Sequence, residues 1–153
     1  MRELVTRTRR EFEPASLLNA VFIGYMVGTY EVIGKGGAQP IANMAGAHVG
    51  QEVVEYARGQ GHPMENCHDL AEFLRAHQLA GQLTFTENAD SVNAEIGQCG
   101  ICPKRVGKYQ FDGTACPLGG ILIGALETIL HKRLSLSVKL IPAATCSITL
   151  NYK

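Results

Sequence analysis

The residues of this chain best suited to chemistry are cysteines that cluster late in the sequence. Three of the five cysteines, Cys99, Cys102 and Cys116, fall within eighteen positions. The spacing of Cys99 and Cys102 presents two sulfurs from one tight turn, which suits a tetrahedral Zn²⁺ ion. Cys116 precedes a predicted helix, whose dipole favours a thiolate as third ligand. The cluster predicts a zinc-stapled loop, with reduced structural cysteines and dithiol redox chemistry as alternatives.

No second motif marks the fourth ligand of such an ion. Cys67 or His68 is a candidate, and Cys146 or water is a further one. The run Cys67-His68-Asp69 could also indicate a catalytic couple, but adjacent helical residues point about 100° apart and do not normally face each other. We therefore interpret Cys67 as a core residue and Asp69 as a helix-capping group, and we predict no catalytic residue.

The composition indicates one globular domain that does not bind nucleic acid. Fourteen Lys and Arg balance fourteen Asp and Glu, so there is no basic footprint for a polyanion. An odd number of cysteines argues against a secreted disulfide framework and favours a cytoplasmic protein with reduced thiols. We expect residues 1–13 to be a flexible charged arm and residues 14–153 to be one domain. The apolar stretch 17–33 is short for a bilayer, so we predict a buried helix there and no transmembrane segment.

Apolar periodicity predicts an α+β domain in the order ααα-ββ(β)-α-ββ. A loop at residues 34–37, where three of four positions are glycine, separates the first two helices. The predicted helices span residues 14–33, 40–58, 67–79 and 117–132, and the predicted strands span residues 82–86, 92–98, 108–111, 134–141 and 146–152.

Two pairs of glycines predict a close contact between helices. Gly46 and Gly50 lie one turn apart on the second helix, and Gly120 and Gly124 lie one turn apart on the last. Glycine costs a helix about 1 kcal/mol relative to alanine, and a close approach of another helix would explain that cost.

The order of these features resembles two related families. The run from Met44 to Glu55, the Cys67-His68-Asp69 sequence and the helix from Leu118 to Glu127 resemble the palmitate-binding TRAPP (transport protein particle) subunits. The Cys99/Cys102 pair, Cys116 and the closing β-hairpin resemble the prokaryotic 4-vinyl reductase or hydrocarbon-binding domain family. The resemblance covers residues 15–152.

This resemblance implies helices packed on one side of a twisted antiparallel sheet, an apolar ligand tunnel and a homodimer. TRAPP subunits of the acylated type carry a cysteine on the first helix, which this chain lacks, so covalent acylation is not expected. The prokaryotic family commonly ends with two cysteines, of which only Cys146 is present. Flexible methionines and one polar handle, His48, suit an adaptable cavity. The candidate ligand-binding residues are Phe22, Met26, Met44, His48, Val49, Leu122 and Leu126.

The predicted function is a non-enzymatic domain that binds a hydrophobic small molecule: an acyl chain such as a fatty acid, an aromatic compound or a tetrapyrrole. The predicted partners are this ligand and a second copy of the chain. One alternative is a TRAPP-like dimeric scaffold that joins other subunits of a membrane-trafficking-type complex. The other is a reductase-associated protein of tetrapyrrole metabolism. It is disfavoured because no Gly-x-Gly-x-x-Gly fingerprint and no acid–base pair is present.

Overall fold

The chain folds around an antiparallel sheet that carries helices. The computed structural model describes residues 14–101, 116–139 and 145–153. The arm at 1–13, Cys102 and the predicted strand at 108–111 lie outside these residues. The elements are α1 (Pro14–Gly59), α2 (Cys67–Ala76), β1 (Ala80–Glu87), β2 (Ser91–Cys99), α3 (Leu118–Leu130), β3 (Leu134–Lys139) and β4 (Cys146–Tyr152). The strand order is β1-β2-β4-β3 with every pairing antiparallel, which confirms the predicted α+β class.

The sheet forms where the sequence alternates between apolar and polar residues. In β1–β2, Leu83 pairs with Ile96, and in β2–β4, Val92 pairs with Leu150. These four side chains are at most 2 % exposed. One face of the sheet therefore builds the core, as the period-two pattern predicts.

The predicted loop at residues 34–37 is reduced in the structure to a kink at a single residue of α1. Only Gly34 leaves the helical conformation, with φ 68° and ψ 179°, and Pro40 lies inside the helix that resumes after it. Across this kink, Tyr30 packs against Ala38 and Ala42. Tertiary contacts thus hold a segment that glycine and proline propensities would leave as a loop, and we call its two parts the first limb (14–33) and the second limb (35–59).

Helix α2 begins at the capping group that the sequence predicts. The backbone N–H of Asp69 donates to Oδ1 of Asn66 at 3.0 Å, and the N–H of Glu65 donates to Oδ2 of Asp69 at 3.0 Å. These bonds satisfy donors that a helix start leaves unpaired. They fix the position of Cys67, which follows the cap and is buried.

The second limb of α1 packs against α3 through backbone, which confirms the predicted close approach. A Cβ on Gly46 would lie 2.8 Å from the amide nitrogen of Ile121, and one on Gly50 would lie 2.7 Å from that of Ala125. Reciprocally, a Cβ on Gly124 would lie 2.7 Å from the carbonyl carbon of Ala47. The contacts advance together along both helices, so α1 and α3 run parallel, and their spacing has no room for a side chain.

Candidate functional site

A surface cleft of about 560 Å³ opens where the second limb of α1, the end of α3 and the three residues after α3 meet. It lies beside the glycine contact, since Ala47 and Gly124 touch across the helix pair and also line the cleft. The cleft is lined by Ala47, His48, Gln51, Gly124, Glu127, Thr128, His131, Lys132 and Arg133.

The cleft has a small-residue floor and polar walls. Ala47 and Gly124 are the residues that touch across the helix pair, so no side chain fills the space between the helices here. The hydroxyl of Thr128 donates to the carbonyl oxygen of Gly124 at 2.7 Å, which turns it back onto its own helix. The polar groups that can meet a ligand are therefore mainly His48, Gln51 and the residues after α3.

The connection from α3 to β3 is held by hydrogen bonds at several points. His131 has left-handed backbone angles of φ 53° and ψ 35°, and its N–H donates to the carbonyl oxygen of Glu127 at 3.0 Å. The N–H of Leu134 donates to Oε1 of Glu127 at 2.8 Å. The N–H of Lys153 donates to the carbonyl oxygen of Arg133 at 3.0 Å. We call residues 131–133 the basic turn; its backbone is fixed.

The structure places the seven predicted ligand-binding residues in three different surroundings. His48 lies in the cleft. Leu122 and Leu126 are fully buried within the core, and Met26 is 7 % exposed. The other three are exposed on α1: Phe22 at 37 %, Met44 at 76 % and Val49 at 44 %.

Sequence reasoning missed most of the cleft wall. Glu127, Thr128 and the basic turn line it, although the sequence gives them no ligand-binding motif. The sequence feature that could have indicated this wall is the run His131-Lys132-Arg133 directly after a helix. Basic residues at this position are equally typical of compensation of the helix dipole. Only the placement of α1 beside α3 brings this run to His48.

The cysteines divide between the two ends of the β1–β2 hairpin. Cys99 pairs with Ala80 at one end. The thiol of Cys67 interacts with Glu87, the residue at the other end of β1. Seven residue steps of strand separate these ends, or about 23 Å at 3.3 Å per residue. This separation of the strand ends places Cys67 poorly for an ion held by Cys99.

His68 is also poorly placed for that ion. It is adjacent to Cys67, and its Nε2 lies 3.4 Å from Oε1 of Glu72 on the exposed side of α2. Cys146 is better placed, because it pairs with Ile96 and therefore starts β4 three residues from Cys99 along the neighbouring strand. Among residues 14–101, 116–139 and 145–153, no three Cys, His, Asp or Glu side chains form a metal-binding group.

Cys67 is a poor nucleophile in this environment. Burial raises its pKa from 9.0 to about 12, and the nearby carboxylate of Glu87 adds to the rise. A thiol that stays protonated neither attacks an electrophile nor ligates a metal readily. The structure thus agrees with the interpretation of Cys67 as a core residue.

The outer surface of α1 is unusually apolar. Val32 is 83 % exposed, Tyr25 76 % and Ile33 45 % on the first limb, while Ile41 and Tyr56 are 52 % and 60 % exposed on the second. The prediction of a buried helix at 17–33 is therefore wrong for one of its faces. In the part of the chain that the structure describes, no helix combines the length and the apolar character needed to cross a membrane.

Two solved structures have folds similar to that of this domain. A vinyl-4-reductase family protein from Methanocaldococcus jannaschii has a TM-score of 0.58 at 10 % sequence identity, covering 99 % of this chain and 89 % of that chain. The phenol-responsive sensory domain of the transcription activator PoxR, solved with phenol, has a TM-score of 0.59 at 14 % identity, covering 99 % and 90 %. At these identities the likeness shows the fold, which is vinyl-4-reductase-like.

Sequence comparison then identifies the family. The profile of the MJ0207 family matches residues 18–152. Protein MJ0207 of Methanocaldococcus jannaschii is 40 % identical over 138 residues, which is 90 % of each chain. This chain belongs to the MJ0207 family.

Proposed function

We propose that this protein is a small-molecule-binding domain and that its ligand enters the cleft between α1 and α3. The observation that carries the proposal is the cleft itself, whose volume of about 560 Å³ lies within the range of 300–1,000 Å³ typical of ligand pockets. His48, the polar group expected to orient a ligand, lies in its wall. The likeness in fold to a sensory domain solved with phenol supports the same class of function.

The ligand we propose is amphipathic, with an acyl chain or aromatic body and one polar end. Met44 and Ile41 precede His48 by four and seven residues, so they lie along the same side of α1, and both are exposed. The apolar body of the ligand can cover this strip. Each Å² of apolar surface removed from water contributes about 25 cal/mol to the binding free energy. The polar end then occupies the cleft, and the protein binds the molecule without transforming it.

Native mass spectrometry before and after solvent extraction tests this function. We expect the purified protein to carry an extractable amphipathic molecule. Replacing His48 with tryptophan fills the cleft and should release it. His68→Trp is the matched control, because it makes the same substitution at an exposed position on α2 that does not line the cleft. Equal retention by both variants would contradict the assignment of the cleft.

A zinc staple beside this domain remains part of the proposal. Its ligands would be Cys99, Cys102 and Cys116, with Cys146 rather than Cys67 or His68 as the fourth, and the ion would fix the loop that joins β2 to α3. Metal analysis should give one zinc per chain, reduced by Cys99→Ser and by Cys146→Ser. Cys67→Ser is the control and should retain the metal, since its sulfur lies at the other end of β1. A metal-free wild-type protein would overturn the staple.

A second candidate function is self-association through α1, as in a TRAPP-like scaffold that also joins other subunits. The observation in its favour is the row of exposed apolar side chains on this helix, among them Val32 and Tyr25. Apolar patches of this kind mark interaction surfaces. Light scattering should report a dimer, and Tyr25→Lys combined with Val32→Lys should give a monomer. A monomeric wild-type protein would contradict it. A cytoplasmic location fits both candidates.

A further inference from the structure

We infer that the polar end of the ligand is an anion, a carboxylate or a phosphate, and that the basic turn at residues 131–133 recognises it. The inference deepens the proposed function and rests on it. It differs from the expectation of a purely apolar tunnel, because it makes a charged group the element that decides which hydrophobic molecules bind.

The hydrogen-bonding inventory of the cleft wall favours an acceptor. Lys132 and Arg133 can only donate, and each of the two histidine rings, His48 and His131, offers at least one N–H. Glu127 is the carboxylate in the wall, and one of its oxygens already accepts the N–H of Leu134. Gln51 adds one amide, whose Nε2 already donates to Oε1 of Glu55. A ligand group that only accepts hydrogen bonds therefore matches this wall better than a donor does.

The charge in the cleft points the same way. The whole chain has a formal net charge of zero, so two adjacent cationic residues in one cleft are a local excess. Two negative charges repel an anion here: the C-terminal end of α3 carries about half an elementary charge from the helix dipole, and the carboxylate of Glu127 carries one. The full charges of Lys132 and Arg133 exceed that sum, and the N–H groups of the histidines add to the attraction.

The turn is also built before a ligand arrives. The hydrogen bonds from His131, Leu134 and Lys153 fix its backbone. The ammonium of Lys132 lies 4.6 Å from the centre of the Tyr152 ring, a cation–π distance that limits the positions of this side chain. A fixed group loses less entropy on binding, so the basic turn can select an anion with few contacts.

Calorimetric titration with octanoate, octyl phosphate and octanol tests the inference. The three probes share one apolar body and differ in the polar end, so the two acids distinguish a carboxylate from a phosphate. We expect at least one acid to bind about tenfold or more tightly than octanol, as charge-assisted hydrogen bonds require. The double variant Lys132→Gln, Arg133→Gln should remove that advantage. Arg75→Gln, which removes one positive charge on α2 at a position that does not line the cleft, should retain it.

Each outcome decides between the two proposals. If octanol binds as tightly as the acids, or if the acid advantage survives in the double variant, the anion inference is wrong while the proposed function stands. If none of the probes binds, both are wrong. Should the double variant fail to fold, a salt titration of the wild-type protein takes its place. Added NaCl should weaken the affinity for the acid and leave the affinity for octanol unchanged, because salt screens interactions between charges.

Discussion

The two sides of the second limb of α1 differ in what they leave available. On one side, Gly46 and Gly50 meet the backbone of α3 with no room for a single carbon atom. On another, Met44 is 76 % exposed and His48 lines an open cleft. The glycine face of this helix thus packs against α3 and fixes the fold. The opposite face presents apolar and hydrogen-bonding side chains to solvent. Stability and binding should therefore respond to different substitutions on the same helix.

The largest effect is expected on the glycine side. Gly50→Ala puts a methyl group 2.7 Å from the amide nitrogen of Ala125, which as backbone cannot move aside. We expect a loss of about 4 kcal/mol in the free energy of unfolding, measured by denaturant titration. The control is Gly28→Ala on the first limb, where a Cβ meets nothing within 4 Å. It should be neutral or stabilising by up to about 1 kcal/mol, and a similar loss in both variants would break the comparison.

The next effect separates core residues from binding residues among the original candidates. Leu126 is fully buried, so Leu126→Ala should cost about 3 kcal/mol through lost burial and a cavity. Met44→Ala should change stability by less than about 0.5 kcal/mol, because its side chain is mostly in water. It should instead weaken binding of an acyl probe. Equal stability losses would mean that Met44 is covered in the native protein.

The effect that is smallest at neutral pH, and that grows only in alkaline solution, comes from Cys67. Its native pKa of about 12 exceeds the unfolded value of 9.0, so between these values the unfolded chain loses a proton that the native state keeps. The stability this group contributes is complete below pH 9 and falls as pH rises toward 12. Denaturant titrations from pH 9 upward should show a shallower fall for Cys67→Ala than for the wild type. Parallel pH profiles would contradict the raised pKa.

Sequence patterns predicted the periodic parts of this fold well. Alternating residues placed β1 to β4, and the glycine spacing predicted that the second limb of α1 and α3 would each admit a close neighbour, because these signals arise from local geometry. The break between the two limbs was predictable, but its restriction to Gly34 was not, since the start of the second limb depends on distant contacts. One example is the side-chain amide of Gln39, which donates to the carbonyl oxygen of Cys116 at 3.0 Å.

The candidate site was less predictable for a related reason. The apolar stripe that contains Leu122 and Leu126 has the same period in a filled core as in a ligand tunnel, so periodicity cannot separate them. The wall of the cleft joins His48 to residues 131–133, which lie more than eighty positions later in the chain. Their meeting follows from the packing of α1 on α3, which no local motif encodes.

Chemical-shift mapping by NMR with octanoate as the probe tests the central claim most directly. If the cleft between α1 and α3 holds the ligand, the largest shifts should fall on the amides of Ala47, His48, Thr128 and the basic turn, with smaller ones near Met44. Shifts centred on the buried positions Leu122 and Leu126, or no shifts at saturating octanoate, would contradict it.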